Sequence, residues 1–182
     1  MRNYTDTIAA IATAVSSSGI GVVRVSGEEA FSVVGKIFRK GGKQMVDLGD
    51  EDNDHRILYG HIYDGDEMVD EVLLLVMRGP HSYTAEDTVE IDCHGGVLVV
   101  KKIMETVIKY GARPAEPGEC TKRAFLNGRI DLSQAEAVMD LIEAKNDLAL
   151  QNSISQLRGS VQKKIYEIRE EILYQTAFIE SA

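Results

Sequence analysis

Apolar positions along the chain follow two different rhythms. Residues 7–14 and 20–25 are β-compatible apolar stretches separated by Ser16-Ser17-Ser18-Gly19, a run with turn chemistry, and they predict two strands. Beyond Gly27, residues 28–39 place Phe31, Val34 and Phe38, with Ala30, Val33 and Ile37 beside them, at helical spacing. That spacing predicts the first helix. Residues 56–63 and 71–77 are β-rich runs around Asp64-Gly65-Asp66-Glu67, a hairpin signal. Within the second run Val72-Leu73-Leu74-Leu75-Val76 is apolar on both faces, which predicts a central strand. Residues 89–92 form a further short strand, Gly95-Gly96 breaks it, and Val100, Ile103, Met104 and Val107 mark the buried stripe of another helix.

The rhythm changes after Gly111-Ala112-Arg113-Pro114 and Pro117-Gly118, which mark a loop and a domain boundary. We read residues 1–118 as one domain and 119–182 as the start of a helical one. Ser133-Gln134-Ala135-Glu136 matches a capping box, so a helix is expected to begin there. From Asp147 onward there is no proline, and Ile154, Leu157, Val161, Ile165, Ile168 and Ile172 step by helical intervals. So long a stripe needs a partner surface. It runs to Ala182 without a stop signal, which points to a piece of a longer protein.

With 182 residues, the chain has room for one ordinary domain, or a small domain with a helical extension, and is too short for a multi-domain enzyme. Hydrophobic residues at 44% and charged residues at 27% can build a core. The net charge of -9 argues against gripping phosphate backbones by bulk electrostatics, although local basic groups can still bind anions. No apolar run approaches the roughly 18 residues of a membrane span, and residues 1–6 lack a secretory pattern, so a cytoplasmic location is expected. The 2 cysteines, Cys93 and Cys120, show no zinc-ligand spacing and are expected to stay reduced. The acidic stretch 41–54 reads as a solvated loop rather than a metal site.

Composition and periodicity alone stop at an α+β domain with a helical tail. The motifs go further. Gly19-Ile20-Gly21-Val22-Val23-Arg24-Val25-Ser26-Gly27, Gly79-Pro80-His81-Ser82-Tyr83-Thr84-Ala85-Glu86-Asp87, His94-Gly95-Gly96, and the segment from Arg113-Pro114-Ala115-Glu116-Pro117-Gly118 through Asn127-Gly128-Arg129-Ile130-Asp131 to Ala137 occur in this order. Together they closely resemble the N-terminal part of the MnmE/TrmE family of tRNA modification GTPases, and the resemblance covers essentially the whole chain. Cys93 stands where the family commonly has the first glycine of Gly-His-Gly-Gly, and Cys120 where it usually has Phe.

The resemblance implies an α+β fold, a small mixed sheet with helices, similar to the tetrahydrofolate-binding domain of glycine-cleavage aminomethyltransferases, followed by an all-α extension. It further implies folate contacts at Arg24, Glu90 and Arg129. A carboxylate such as Glu90 can accept the adjacent N–H and amine of a pterin ring, and guanidinium groups suit glutamate carboxylates or the flat aminobenzoyl ring. Without the motifs, Glu90 would read as an outward strand residue and the arginines as surface cations.

Also implied are a bound tetrahydrofolate derivative in the 5-formyl or methylene form, a homodimer formed through this domain, and a flavoprotein partner of the GidA or MnmG type. The parent would add an aminomethyl-type group to C5 of a tRNA wobble uridine, meeting tRNA through the assembled complex. GTP, Mg and K would belong to a GTPase domain; no Gly-x-x-x-x-Gly-Lys-[Ser/Thr] loop occurs in this sequence, so GTP hydrolysis is not expected of this chain by itself. The family's C-terminal cysteine motif is also absent, and neither Cys93 nor Cys120 takes a catalytic role.

Other residues keep two readings. Gly19 and Gly21 resemble a phosphate-cradling loop but fit a tight turn better, Gly95 and Gly96 allow close approach of a ligand or of a helix, and His94 could carry a proton but reads better as a hydrogen-bonded structural histidine. Arg113, Lys122, Arg123 and Arg129 form a locally basic segment that faces either tRNA or folate, or is simply a solvated helix start. The rival functions are a self-standing folate-dependent one-carbon transferase and a pure protein-interaction scaffold.

Overall fold

The computed structural model describes residues 6–41 and 43–180, which divide into two compact units, 1–123 and 124–182. The readings made on residues 1–5, on Gly42 and on the chain's last residue lie outside the described residues.

In the first unit, strands β1 (Ile8–Ile11), β2 (Ile20–Ser26), β3 (Phe38–Lys40), β4 (Arg56–Asp64), β5 (Glu67–Met77), β6 (Thr88–His94) and β7 (Arg113–Pro114) form one 7-stranded sheet in the order β3-β4-β5-β6-β2-β1-β7. All neighbours are antiparallel except β1 and β7, so the sheet is mixed and the fold is α+β, as expected. The β4–β5 hairpin turns where the sequence predicts, with Gly65 at φ 65, a left-handed angle that glycine adopts without cost.

Period-2 alternation decides which face is covered. Val23, Val25, Leu58, Val72, Leu74, Val76, Val89 and Ile91 point to one side and are buried under α1 (Ala30–Ile37) and α2 (Val97–Lys109). These helices contribute Val33, Val34, Ile37, Val100, Ile103 and Val107, each worth about 1.5–3 kcal/mol when fully buried. Gly21 belongs to this packing rather than to a tight turn: it lies inside β2, and a Cβ there would stand 2.4 Å from Val100 Cγ2. Gly95 likewise lets backbone meet backbone, since its Cβ would fall 2.5 Å from the Ser18 carbonyl oxygen.

On the opposite face the strands line up in two rows. Ala10, Arg24, Glu90, Leu75 and Ile57 are successive cross-strand partners, as are Val22, Asp92, Leu73 and Tyr59. Hence the run 72–76 is interior to the sheet but not covered on both sides, since Leu73 is 43% exposed. The first helix also stops earlier than its apolar period: Phe38 adopts an extended conformation, leaves α1 and, as the first residue of β3, pairs with Ile62 of β4.

The boundary between units falls inside α3 (Glu119–Leu126). The second unit is helical, with α4 (Leu132–Glu143), α5 (Asp147–Leu157) and α6 (Ser160–Glu180). The capping box sits two residues earlier than predicted: Asp131 accepts the Gln134 N–H while the Gln134 side chain takes the Asp131 N–H. The carboxylate wins the cap position over Ser133, whose hydroxyl instead donates to it. Nor is the C-terminal stripe one helix. Gly159, at φ 77, ends α5 and separates it from α6. The Gln134 and Gln156 side chains bond the Leu157 and Ser133 carbonyls, tying α4 to α5, whereas α6 buries no residue. Among the described residues no helix is long and apolar enough to cross a membrane.

Candidate functional site

Arg24 and Glu90 are 66 residues apart in sequence and directly opposite each other in the β2–β6 ladder, on the sheet face away from α1 and α2. Arg24 Nε and Nη2 lie 2.7 and 2.6 Å from the same oxygen, Glu90 Oε1, with both side chains only about one-fifth exposed, at 22% and 19%. Both contacts use one oxygen, so Oε2 is available to a second donor. Two residues along β6, burial and the nearby Glu90 charge hold the Asp92 carboxyl above the usual range. Beyond it a cavity of about 360 Å³ is walled by Ile20, Leu73 and Tyr59 and edged by Glu71, Asp92 and His94. Apolar walls beside clustered carboxylates suit a ring that carries N–H donors.

The loop between β5 and β6 closes the other side. Tyr83 lies under the guanidinium, with Arg24 Cζ 4.7 Å from the ring centroid, and its hydroxyl shares a 2.9 Å hydrogen bond with Thr121 Oγ1. The Cys120 thiol meets the same guanidinium; burial pushes it up, and Arg24 pulls against that shift. Neither Tyr83 nor Cys120 was marked by sequence reasoning as part of the site. Tyr83 had one signal, an aromatic inside the Ser82-Tyr83-Thr84 motif, but the loop's path decides its neighbour.

A second arginine centre supports this loop from below. Arg123 is fully buried, and its guanidinium reaches Asp6 at 2.7 Å, Glu86 at 3.2 Å and Glu119 at 3.1 Å. Arg113 grips Glu119 through two nitrogens at 2.8 and 2.6 Å. Hydrogen bonds from Arg113, then from the Glu116 N–H and Arg123, outweigh burial and hold the Glu119 carboxyl down at about 2. Glu86 in turn accepts from Ser26 Oγ, 2.8 Å away, whose hydroxyl also meets Thr84. Arg113 and Arg123 are therefore cations held by carboxylates within the first unit rather than members of a solvated helix start.

Arg129, the third residue marked in the sequence, lies just after α3 in the second unit, exposed, with its N–H donating to the Ala124 carbonyl. His94 is exposed and held by Asp70 at 2.7 Å, which raises its pKa. The Cys93 thiol donates to the Gly21 carbonyl and is pushed up to about 11 by burial and then by Asp70. No cluster of His, Cys, Asp or Glu among the described residues is arranged to hold a metal ion.

Comparison with known proteins places this geometry in context. Residues 7–129 match the family model described as the GTP-binding protein TrmE N-terminus, and residues 132–182 match that of the MnmE helical domain. The chain is 57% identical over 178 residues to the tRNA modification GTPase MnmE of Lachnoclostridium phytofermentans, covering 98% of this chain and 38% of that protein. It is 52% identical over 177 residues to the MnmE of Clostridioides difficile, covering 97% of this chain and 38% of the relative. For the MnmE of Enterococcus faecalis the identity is 50% over 177 residues, 96% of this chain and 37% of the relative. The chain thus spans little more than a third of the length of these relatives.

Proposed function

This chain belongs to the TrmE family, and from that premise we propose that its first unit binds a reduced one-carbon folate on behalf of a GTPase that modifies the wobble uridine of tRNA. The observation that carries the reading is the Arg24–Glu90 pair: a guanidinium and a carboxylate in contact on an uncovered sheet face, beside a cavity of about 360 Å³. Glu90 Oε2 and its neighbours offer acceptors to the N–H and amine of a pterin, and burial of the site strengthens each such bond. Arg24 serves the aminobenzoyl ring or the glutamate tail. Arg129 is the third proposed folate residue on the strength of its Asn-Gly-Arg-Ile-Asp motif.

In this reading the folate supplies the carbon and the protein supplies orientation and electrostatics. The exposed apolar side chains of Ile20, Ile57, Tyr59 and Leu73 give the homodimer a surface to bury. GTP hydrolysis, with Mg and K, and the work with a GidA/MnmG-type flavoprotein and tRNA belong to the longer protein, in the cytoplasm.

Calorimetric titration of 5-formyltetrahydrofolate into the protein and into its Glu90→Ala variant tests the reading. Saturable binding that weakens by about 1.5–3 kcal/mol in the variant supports it. Equal affinities would remove Glu90 from the site, and absence of binding to the folded protein would remove folate from this chain.

A further inference from the structure

The Arg24–Glu90 contact poses a problem for any ligand that needs the Glu90 carboxylate: it must displace or share the cation already there. Arg24, however, has a second partner. Its guanidinium lies over the Tyr83 ring at 4.7 Å, a distance at which the ring's electron-rich face attracts a cation whether or not a carboxylate is near.

Tyr83 itself is fixed from both sides. Ser82 is buried and donates to the Glu86 carbonyl at 2.5 Å. Thr84, also buried, shares hydrogen bonds with Ser26 at 2.7 Å and Thr88 at 3.2 Å. Ser26 and Thr88 are cross-strand partners lying two residues beyond Arg24 and two before Glu90, on the same sheet face. The loop is thereby stitched to the ladder beside the pair it serves. Ala85 sits at φ 61, a left-handed angle that alanine tolerates only where its surroundings impose it. At the far end of the ring the hydroxyl meets Thr121 at 2.9 Å.

We propose that Tyr83 is a positioning residue for folate recognition: it carries the Arg24 guanidinium, so that Glu90 can turn from its internal cation to the N–H groups of a pterin-type ring. This inference rests on the folate reading given above. A guanidinium is planar and has two faces. Tyr83 holds the group from one side, its ring centroid 4.7 Å from Cζ, and the proposal has a flat ligand ring stack from another. No covalent step is involved; ligand binding exchanges one hydrogen-bond donor to Glu90 for another, while Arg24 keeps its place.

The experiment compares the protein with Tyr83→Phe, which keeps the ring and loses the hydroxyl, and Tyr83→Leu, which loses the aromatic face. Two measurements are made: 5-formyltetrahydrofolate affinity by calorimetry, and the Arg24 Nε–H resonance of ligand-free protein by NMR. Tyr83→Phe is expected to bind within about twofold of the parent, and Tyr83→Leu about fivefold to thirtyfold more weakly. The ring-shifted Arg24 signal persists in the parent and in Tyr83→Phe and moves towards the free-arginine position in Tyr83→Leu. A simply structural tyrosine would show no effect confined to Arg24. Unchanged affinity in a folded Tyr83→Leu protein, or an Arg24 signal indifferent to the ring, overturns the proposal. Should the parent itself show no saturable binding, the folate reading falls, and with it the exchange role; the Arg24 signal then still decides whether Tyr83 holds the guanidinium.

Discussion

Two arginines of the first unit occupy opposite ends of one electrostatic scale. Arg123 is entirely enclosed and meets three carboxylates, Asp6, Glu86 and Glu119. Arg24, about one-fifth exposed, meets one carboxylate oxygen and one aromatic face. A buried guanidinium must have its charge answered on every side, or the desolvation cost goes uncompensated. Arg123 is so surrounded that nothing remains to bind. Arg24 is held firmly enough to be in place and loosely enough to take another partner. The difference separates a cation that builds the fold from one that can recognise a ligand, although both sit in family motifs and look alike in the sequence.

The largest predicted effect breaks the first of these. Arg123→Met leaves three acidic groups around an apolar side chain and is expected to lower stability by about 3–5 kcal/mol in chemical denaturation, whereas Arg24→Met strands a single, partly exposed carboxylate and is expected to cost clearly less. Comparable losses in the two variants would erase the distinction.

Acid attacks the same centre. Glu119 is 3% exposed and ionises at about 2 in the folded protein, against 4.5 for an unperturbed glutamate. A depressed folded-state pKa means that the stability from this carboxylate is complete above the unfolded value and is lost as pH falls from about 5 towards 2. The shift corresponds to about 3 kcal/mol at the acid end. Asp6, also lowered, first by its hydrogen bond to Arg113, acts in the same direction. Denaturation midpoints measured across this window should fall steeply in the parent and more shallowly in Glu119→Gln, which starts from lower stability at neutral pH.

Glu90→Ala sharpens the contrast from the other side. It is expected to cost about 1.5–3 kcal/mol in folate affinity and, in stability, less than Arg123→Met does, so calorimetry and thermal melting should rank the two variants in opposite orders. The smallest effect concerns the loop that serves Arg24. Ala85→Gly relieves a positive φ, and a stability gain of about 0.5–1 kcal/mol is expected in urea melts.

How much of this was legible in the sequence depends on whether the cause is local. The hairpin at Gly65 and the stripe of α2 are local patterns, and they lie where the periodicity places them. Where two local patterns compete, the sequence is ambiguous: Asp131-x-x-Gln134 and Ser133-x-x-Glu136 are overlapping capping boxes, and only the extended backbone at Asp131 selects one. Phe38 continues a helical period yet belongs to a strand, because a pairing partner 24 residues later, Ile62, offers it full burial. Gly159 did carry a readable signal, a glycine in a helical stripe, which the unbroken apolar steps masked.

The site shows the same division. Motif resemblance marked Arg24, Glu90 and Arg129, but the contact between the first two depends on the register of strands 66 residues apart. Burial of Arg123 was hidden for a similar reason. Its i,i+4 partner Glu119 is visible, but Asp6, 117 residues away, is not.

The central claim is that the Arg24–Glu90 pair is the part of this molecule that changes partners. It is tested most directly by following arginine Nε–H resonances while 5-formyltetrahydrofolate is added to the protein. The account predicts that the Arg24 signal shifts saturably with the ligand while that of Arg123 stays in place. Saturable binding that leaves Arg24 unmoved, or no binding by the folded protein, would contradict it.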